Sequence, residues 1–183
     1  MVVQEIRVDP TTARERASLA VADLLGALGF DPGSDRLRDT PDRVAVSLAS
    51  LLTRTPLPPT TFLDPGGYDG PVIVREIPFH SLCEHHLLPF RGVATVGFLP
   101  ASRVVGLSTL VRVVEHFSRD LQMQERLTTD IADWIERELS PHGVAVVIDA
   151  EHLCMSMRDI GTPATRATTR IFRGTLTPAD LGL

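Results

Sequence analysis

The sequence predicts an α+β fold: helices packed on an antiparallel sheet, preceded by a helical appendage. Three observations carry this. From Val72 onward the apolar pattern reads strand, strand, helix, helix, strand, strand, a β-β-α-α-β-β order. Ahead of it, two stretches repeat apolar residues at helical spacing. Between the two regions, residues 54–71 hold five prolines and three glycines, the composition of a loop. The expected division is 1–70 for the helical region with its linker and 71–183 for the sheet-bearing domain.

In chain order, the first helix is expected from Thr12 to about Leu28, on Ala17, Ala20, Val21, Leu24, Leu25 and Leu28, with Gly29 as its stop. Thr40 as N-cap and Pro41 in the first helical position open the second, whose apolar face is Val44, Leu48, Leu51 and Leu52. Val72–Phe79 and Gly92–Leu99 read as strands, with the segment around Cys83 in the connection between them. Leu107, Leu110, Val111, Val114, Phe117 and Leu121 mark a helix, and Leu127, Ile131, Trp134, Ile135 and Leu139 the next, ended by Ser140-Pro141-His142-Gly143. Val144–Ile148 reads as a third strand and residues 151–160 as a fourth.

With 183 residues and 43% hydrophobic content, the chain is long enough for one cored domain and a small appendage. A net charge of −5 without any basic run argues against nucleic-acid binding. No apolar stretch is long enough to span a bilayer and the N-terminus lacks an apolar signal core, so no membrane association and a cytoplasmic location are expected. All 18 basic residues are arginine, a mark of base composition rather than function.

Chemistry concentrates around the two cysteines. Cys83 sits in Ser81-Leu82-Cys83-Glu84-His85-His86-Leu87-Leu88-Pro89-Phe90, and Cys154 in Glu151-His152-Leu153-Cys154-Met155. Two cysteines are too few for a disulfide scaffold. Zinc prefers thiolate and imidazole donors in a tetrahedron. Cys83 and His86 are spaced so that one turn can close both onto a metal, and Cys154 supplies a third ligand. Three protein ligands leave a fourth position for water, the arrangement of a catalytic zinc site. Two alternatives stay open: a structural site closed by His85 or His152, and a metal-free Cys83 thiolate activated by His85. If residues 151–160 form a strand, His152, Cys154, Ser156 and Arg158 share one face.

These blocks resemble the GTP cyclohydrolase I family. The resemblance rests on the Cys83 segment, Gly106-Leu107-Ser108 with Arg112, Gln122-Met123-Gln124-Glu125-Arg126-Leu127-Thr128, His152-Leu153-Cys154-Met155 with Arg158, and Asp39-Thr40-Pro41-Asp42-Arg43-Val44. It implies a tunnelling fold (T-fold), whose sheets join into a pentameric barrel with two rings stacked as a homodecamer and active sites at subunit interfaces. It implies that GTP and water give 7,8-dihydroneopterin triphosphate and formate, the entry to tetrahydrofolate and pterin synthesis. Carried over, Cys83, His86 and Cys154 hold Zn2+, and the guanine ring opens at C8. His152 donates a proton to the ring nitrogen, and His85 assists proton transfer. Glu125 accepts two hydrogen bonds from the guanine, with Gln124 supporting the base. Ser108 acts near the ribose; Arg112 and Arg158 hold phosphate oxygens, and Arg43 is a further substrate-binding residue.

Without the resemblance, Glu125 reads as a helix first-turn acid and Ser108 as an N-cap. The sequence departs from the family at Thr109, where a lysine is usual, and at Val46, often basic. Arg166, Arg170 and Arg173 are expected either to restore that charge or to serve another contact. Thr109 and Val46 motivate a paralogue acting on a different guanine nucleotide (GDP, GMP or a specialised-metabolism purine); two other readings are a non-catalytic zinc module that assembles rings and a metal-free thiol enzyme on the same fold, as in related nitrile reductases.

Overall fold

The computed structural model describes residues 9–57, 61–63, 66, 68–157 and 165–183. Two compact units meet in sequence between Thr53 and Arg54. In the first, α1 (Pro10–Ala27) is capped by the Asp9 carboxylate, which accepts from the backbone N–H of Thr11 and Thr12. Gly29, at φ +84°, takes the left-handed conformation that ends it. The second helix, α2 (Thr40–Leu52), has Asp39 rather than Thr40 at its cap position and Pro41 in its first turn. Arg14 grips Asp42 through Nε at 2.9 Å and Nη2 at 2.6 Å, joining the two helices.

The second unit is built on a mixed five-stranded sheet. Its elements are β1 (Thr61–Leu63), β2 (Val72–Cys83), β3 (Pro89–Leu99), β4 (Arg103–Val105), α3 (Leu107–Ser118), β5 (Leu121–Gln122), α4 (Gln124–Leu139), β6 (Gly143–His152), α5 (Leu153–Ser156) and β7 (Arg166–Gly174). The sheet order is β5-β2-β3-β6-β7, antiparallel throughout except for the two-residue β5, which runs parallel to β2. Helices α3 and α4 cover one face. There Phe90, Phe98 and Ile148 of the sheet meet Leu110, Val114, Leu127, Ile131 and Ile135 in a fully buried core. On the opposite face Leu176 and Leu181 pack with Ala145, Val147 and Phe172.

Four sequence expectations change. β2 runs on through Cys83, so only residues 84–88 form the connection to β3. The stretch 54–71 is not loop throughout, since Thr61–Leu63 pairs antiparallel with Arg103–Val105; residues 58–60, 64, 65 and 67 of it lie outside the described set. Leu121 belongs to β5 rather than to α3, whose helix ends at Ser118. The fourth long strand is not 151–160: β6 ends at His152, and a helical turn carries Cys154 and Ser156. The single-face row from His152 to Ser156 is therefore replaced by a strand end followed by a turn, and Arg158 lies outside the described residues. Seven residues of alternating pattern are too few to separate a strand from a strand end plus one helical turn. The real fourth strand is β7, antiparallel to β6 over its full length.

The pairing of β3 with β6 positions the site, because Phe90 lies opposite His152. Two residues on, a Cβ on Gly92 would come within 2.0 Å of the Asp149 carbonyl oxygen and 2.6 Å of the Ala150 Cα. Gly92→Ala must push these strands apart. We expect a loss of about 3 kcal/mol, the upper end for overpacking, read as a lowered midpoint of thermal unfolding. An unchanged midpoint would contradict this pairing.

Candidate active site

The tail of β2 places Cys83 at the end of a buried strand, and the chain then reverses in a tight turn. The Cys83 carbonyl accepts from His86 N at 3.3 Å and Leu87 N at 2.9 Å, while Cys83 N donates to Leu88 O at 2.9 Å. Leu87 adopts φ +54°, a left-handed conformation costly for a branched residue. The turn brings two imidazoles back over one sulfur: Nδ1 of His85 and Nδ1 of His86 each lie 3.9 Å from Cys83 Sγ.

The α5 turn delivers the second thiol. Cys154 is buried in the main core, and Cys83, His86 and Cys154 offer ligand atoms that all lie within 4.8 Å of one another. His85 is not part of that triangle. Its Nε2 lies 3.7 Å from Glu84 Oε1.

Beside the triangle, His152 stacks on Phe90 with centroids 4.6 Å apart and planes 2° from parallel. Its Nε2 is 2.7 Å from Gln124 Oε1. Gln124, only 2% exposed, donates its amide NH2 to Ile148 O at 3.1 Å, Ala167 O at 2.9 Å and Thr169 Oγ1 at 3.2 Å. Two of these partners are carbonyls, which only accept, so the amide nitrogen must face them and the oxygen must face the imidazole. His152 therefore donates from Nε2, and its orientation is held from two sides. Burial lowers its pKa below the ordinary histidine value, opposed by the nearby Glu125 carboxylate.

The other sequence-predicted residues are outside the ligand triangle. Glu125 is exposed in the first turn of α4. Ser108 and Arg112 stand one turn apart on the exposed side of α3. Gly106, not Ser108, caps that helix, while Thr109 is buried. Arg43, in the N-terminal unit, pairs with Asp39 at 3.0 Å. Arg166 is held by Asp149, and Arg173 by Asp133 at 2.7 Å and Glu136 at 2.5 Å. Those two arginines are committed to carboxylates of this chain. Arg170 is exposed on β7.

Sequence reasoning missed the web that anchors the turn. Arg126 donates from Nη2 to Glu84 Oε2 at 2.7 Å and Leu121 O at 2.6 Å, and from Nε to Gln122 Oε1 at 2.9 Å. The available signal was the four-residue spacing of Gln122 and Arg126 at a helix start.

A cysteine–histidine–cysteine triangle beside an oriented histidine is the arrangement the family motifs anticipate. Residues 17–180 match the GTP cyclohydrolase I family. The chain belongs to that family. It is 46% identical over 161 residues to the GTP cyclohydrolase 1 of Sulfurihydrogenibium sp., covering 88% of this chain and 86% of that one. It is 45% identical over 161 residues to the GTP cyclohydrolase 1 of Aquifex aeolicus, covering 88% of each. With the GTP cyclohydrolase 1 of Mycolicibacterium vanbaalenii it shares 49% identity over 173 residues, covering 90% of this chain and 85% of the relative. In fold, a crystal structure of the archaeosine synthase QueF-Like in the apo form superposes with a TM-score of 0.50 at 13% identity, covering 61% of this chain and 100% of that one. As a GTP cyclohydrolase I family member the chain is an enzyme, which sets aside the non-catalytic module. Among the described residues, no helix is long and apolar enough to cross a membrane.

Proposed function

We propose that this family member is a zinc-dependent GTP cyclohydrolase I, converting GTP and water to 7,8-dihydroneopterin triphosphate and formate. The observation that carries the proposal is the triangle of Cys83, His86 and Cys154 with His152 beside it. Two thiols and an imidazole are a zinc donor set. A spread of 4.8 Å closes by small rotamer changes onto an ion with Zn–S of about 2.3 Å and Zn–N of about 2.0 Å. A zinc held there supplies a Lewis acid that makes water nucleophilic near neutral pH.

The chain's own residues do the rest. His152, held at Nε2 by Gln124 and stacked on Phe90, acts in its imidazolium form and gives the proton on Nδ1 to the guanine imidazole nitrogen as its bond to C8 breaks. His85, outside the ligand triangle, is free to move a second proton. Gln124 directs both ends of its amide at the protein, so its part is to position His152 rather than to contact the base. Glu125 receives the guanine N1–H and 2-amino group; an exposed carboxylate fits that donor pair. Ser108, Arg112, Arg43 and Arg158 attend the ribose and triphosphate.

The enzyme works as a homo-oligomer, a decamer of two pentameric rings, with sites completed at subunit boundaries. This is supported by the sheet edges: among the described residues β7 forms one edge and most of β2 the other, long edges suited to joining copies. The position of Ser108 and Arg112 on an exposed helix face fits the same picture. The enzyme is cytoplasmic, and its product enters tetrahydrofolate and pterin synthesis.

Incubation of zinc-loaded protein with GTP should yield formate and the pterin chromophore in equal amounts; no product at full zinc loading would contradict the proposal. Glu125→Gln should lower kcat/KM for GTP about 100-fold through loss of charge-assisted hydrogen bonds, with zinc content unchanged. An unchanged kcat/KM would remove Glu125 from base recognition. A second reading keeps the chemistry and changes the nucleotide to GDP or GMP. It is favoured by Thr109, neutral and buried where the family has lysine, and by the commitment of Arg166 and Arg173 to carboxylates of this chain. Comparing kcat/KM for GTP, GDP and GMP separates the two.

A further inference from the structure

We propose that Glu84 and Arg126 are positioning residues for the metal-binding turn, a role that rests on the zinc reading of Cys83, His86 and Cys154. His86 is exposed, and the turn after Cys83 carries its ring towards the two buried thiols. That turn contains Leu87 in the left-handed region, a strained conformation for a residue with a Cβ. The turn is also held from outside.

The hold comes through Glu84, the residue between the first ligand and the histidine pair. Its backbone N–H donates to Gln122 O at 3.1 Å. Its carboxylate receives Arg126, and the same guanidinium binds Leu121 O and Gln122 Oε1. Gln122 is 1% exposed and passes the connection onward, donating to Phe117 O and Asp130 Oδ2, each at 3.1 Å. The turn is thereby tied to the end of α3, to β5 and to the first turns of α4.

The Glu84–Arg126 pair is partly exposed, at 25% and 31% of the side chains, so its net contribution to folding is small. A pair of little folding value that fixes one end of a ligand turn has its effect on ligand geometry. Partners behind metal ligands commonly alter affinity about 10- to 100-fold.

The test is zinc affinity, measured by competition with a chromophoric chelator, beside the thermal midpoint of the zinc-free protein. Glu84→Ala and Arg126→Met should each weaken zinc binding at least about tenfold. The double variant should bind no more weakly than the weaker single one, because both break one connection. The zinc-free midpoint of Glu84→Ala should match that of the unsubstituted protein. Zinc affinity within twofold of the unsubstituted protein in Glu84→Ala would overturn the proposal, as would additive losses in the double variant. Glu84→Ala decides alone should Arg126→Met fail to fold. Unsubstituted protein that takes up no zinc would overturn the underlying metal site and this role with it; normal uptake with unaffected variants overturns this role only.

Discussion

Cys154→Ala protein should retain no zinc after dialysis and should release formate from GTP about 1,000-fold more slowly. The magnitude follows from losing several kcal/mol of metal-derived transition-state stabilisation, at about 1.4 kcal/mol per decade of rate. Cys154 is chosen because it is the ligand the chain must bring from far away in sequence. Cys83 and His86 are neighbours on one turn, but Cys154 arrives on the α5 turn after β6. Two ligands on one turn hold zinc weakly; the third makes the site. The substitution deletes one sulfur from a buried position, so the fold should survive with a modest loss of stability. Zinc content by elemental analysis and the rate of formate release are the two measurements. Full zinc retention in Cys154→Ala would mean that the metal sits elsewhere.

The second large effect is separable from the first. His152→Ala should lower kcat by about 100- to 10,000-fold, the range for removing a general acid, while zinc content stays at the level of the unsubstituted protein. His152 lies beside the triangle without belonging to it: its Nε2 is engaged by Gln124 and its ring is stacked on Phe90. Removing it leaves Gln124 Oε1 without its partner at a buried position, a cost of about 1–3 kcal/mol, which thermal unfolding will register. Loss of rate with retained metal is the signature of a proton donor. Loss of both would instead make His152 a fourth ligand and the site a closed, structural one.

The parts legible in the sequence were those where residue chemistry is restrictive. Thiols and imidazoles at turn spacing have few uses, so Cys83, His86 and Cys154 could be grouped without knowing how the chain folds between them. The long helices and the β2, β3 and β6 strands followed from sustained apolar periodicity. Short elements did not. The α5 turn was hidden in an alternating stretch that a strand would produce equally well. β7 was masked by its own arginines: Arg166, Arg170 and Arg173 draw attention to charge, although Thr168, Thr169, Ile171 and Phe172 carry β-propensity. Its inward face matters to the site, since Ala167 and Thr169 receive the Gln124 amide. Gln124 could be placed near the base by family motif alone, but its service to His152 required knowing that β6, β7 and α4 converge. Of the Arg126 anchor only the Gln122 spacing shows in the sequence, because nothing in a single sequence pairs residue 84 with residue 126.

One titration joins metal to chemistry. Zinc-free protein is supplied with increasing zinc, and formate released from GTP is measured at each step. Formate release should rise in proportion to bound zinc and level off at one zinc per chain. Release at full rate without zinc, or none when every chain is loaded, would show that the Cys83–His86–Cys154 triangle is not the seat of the reaction.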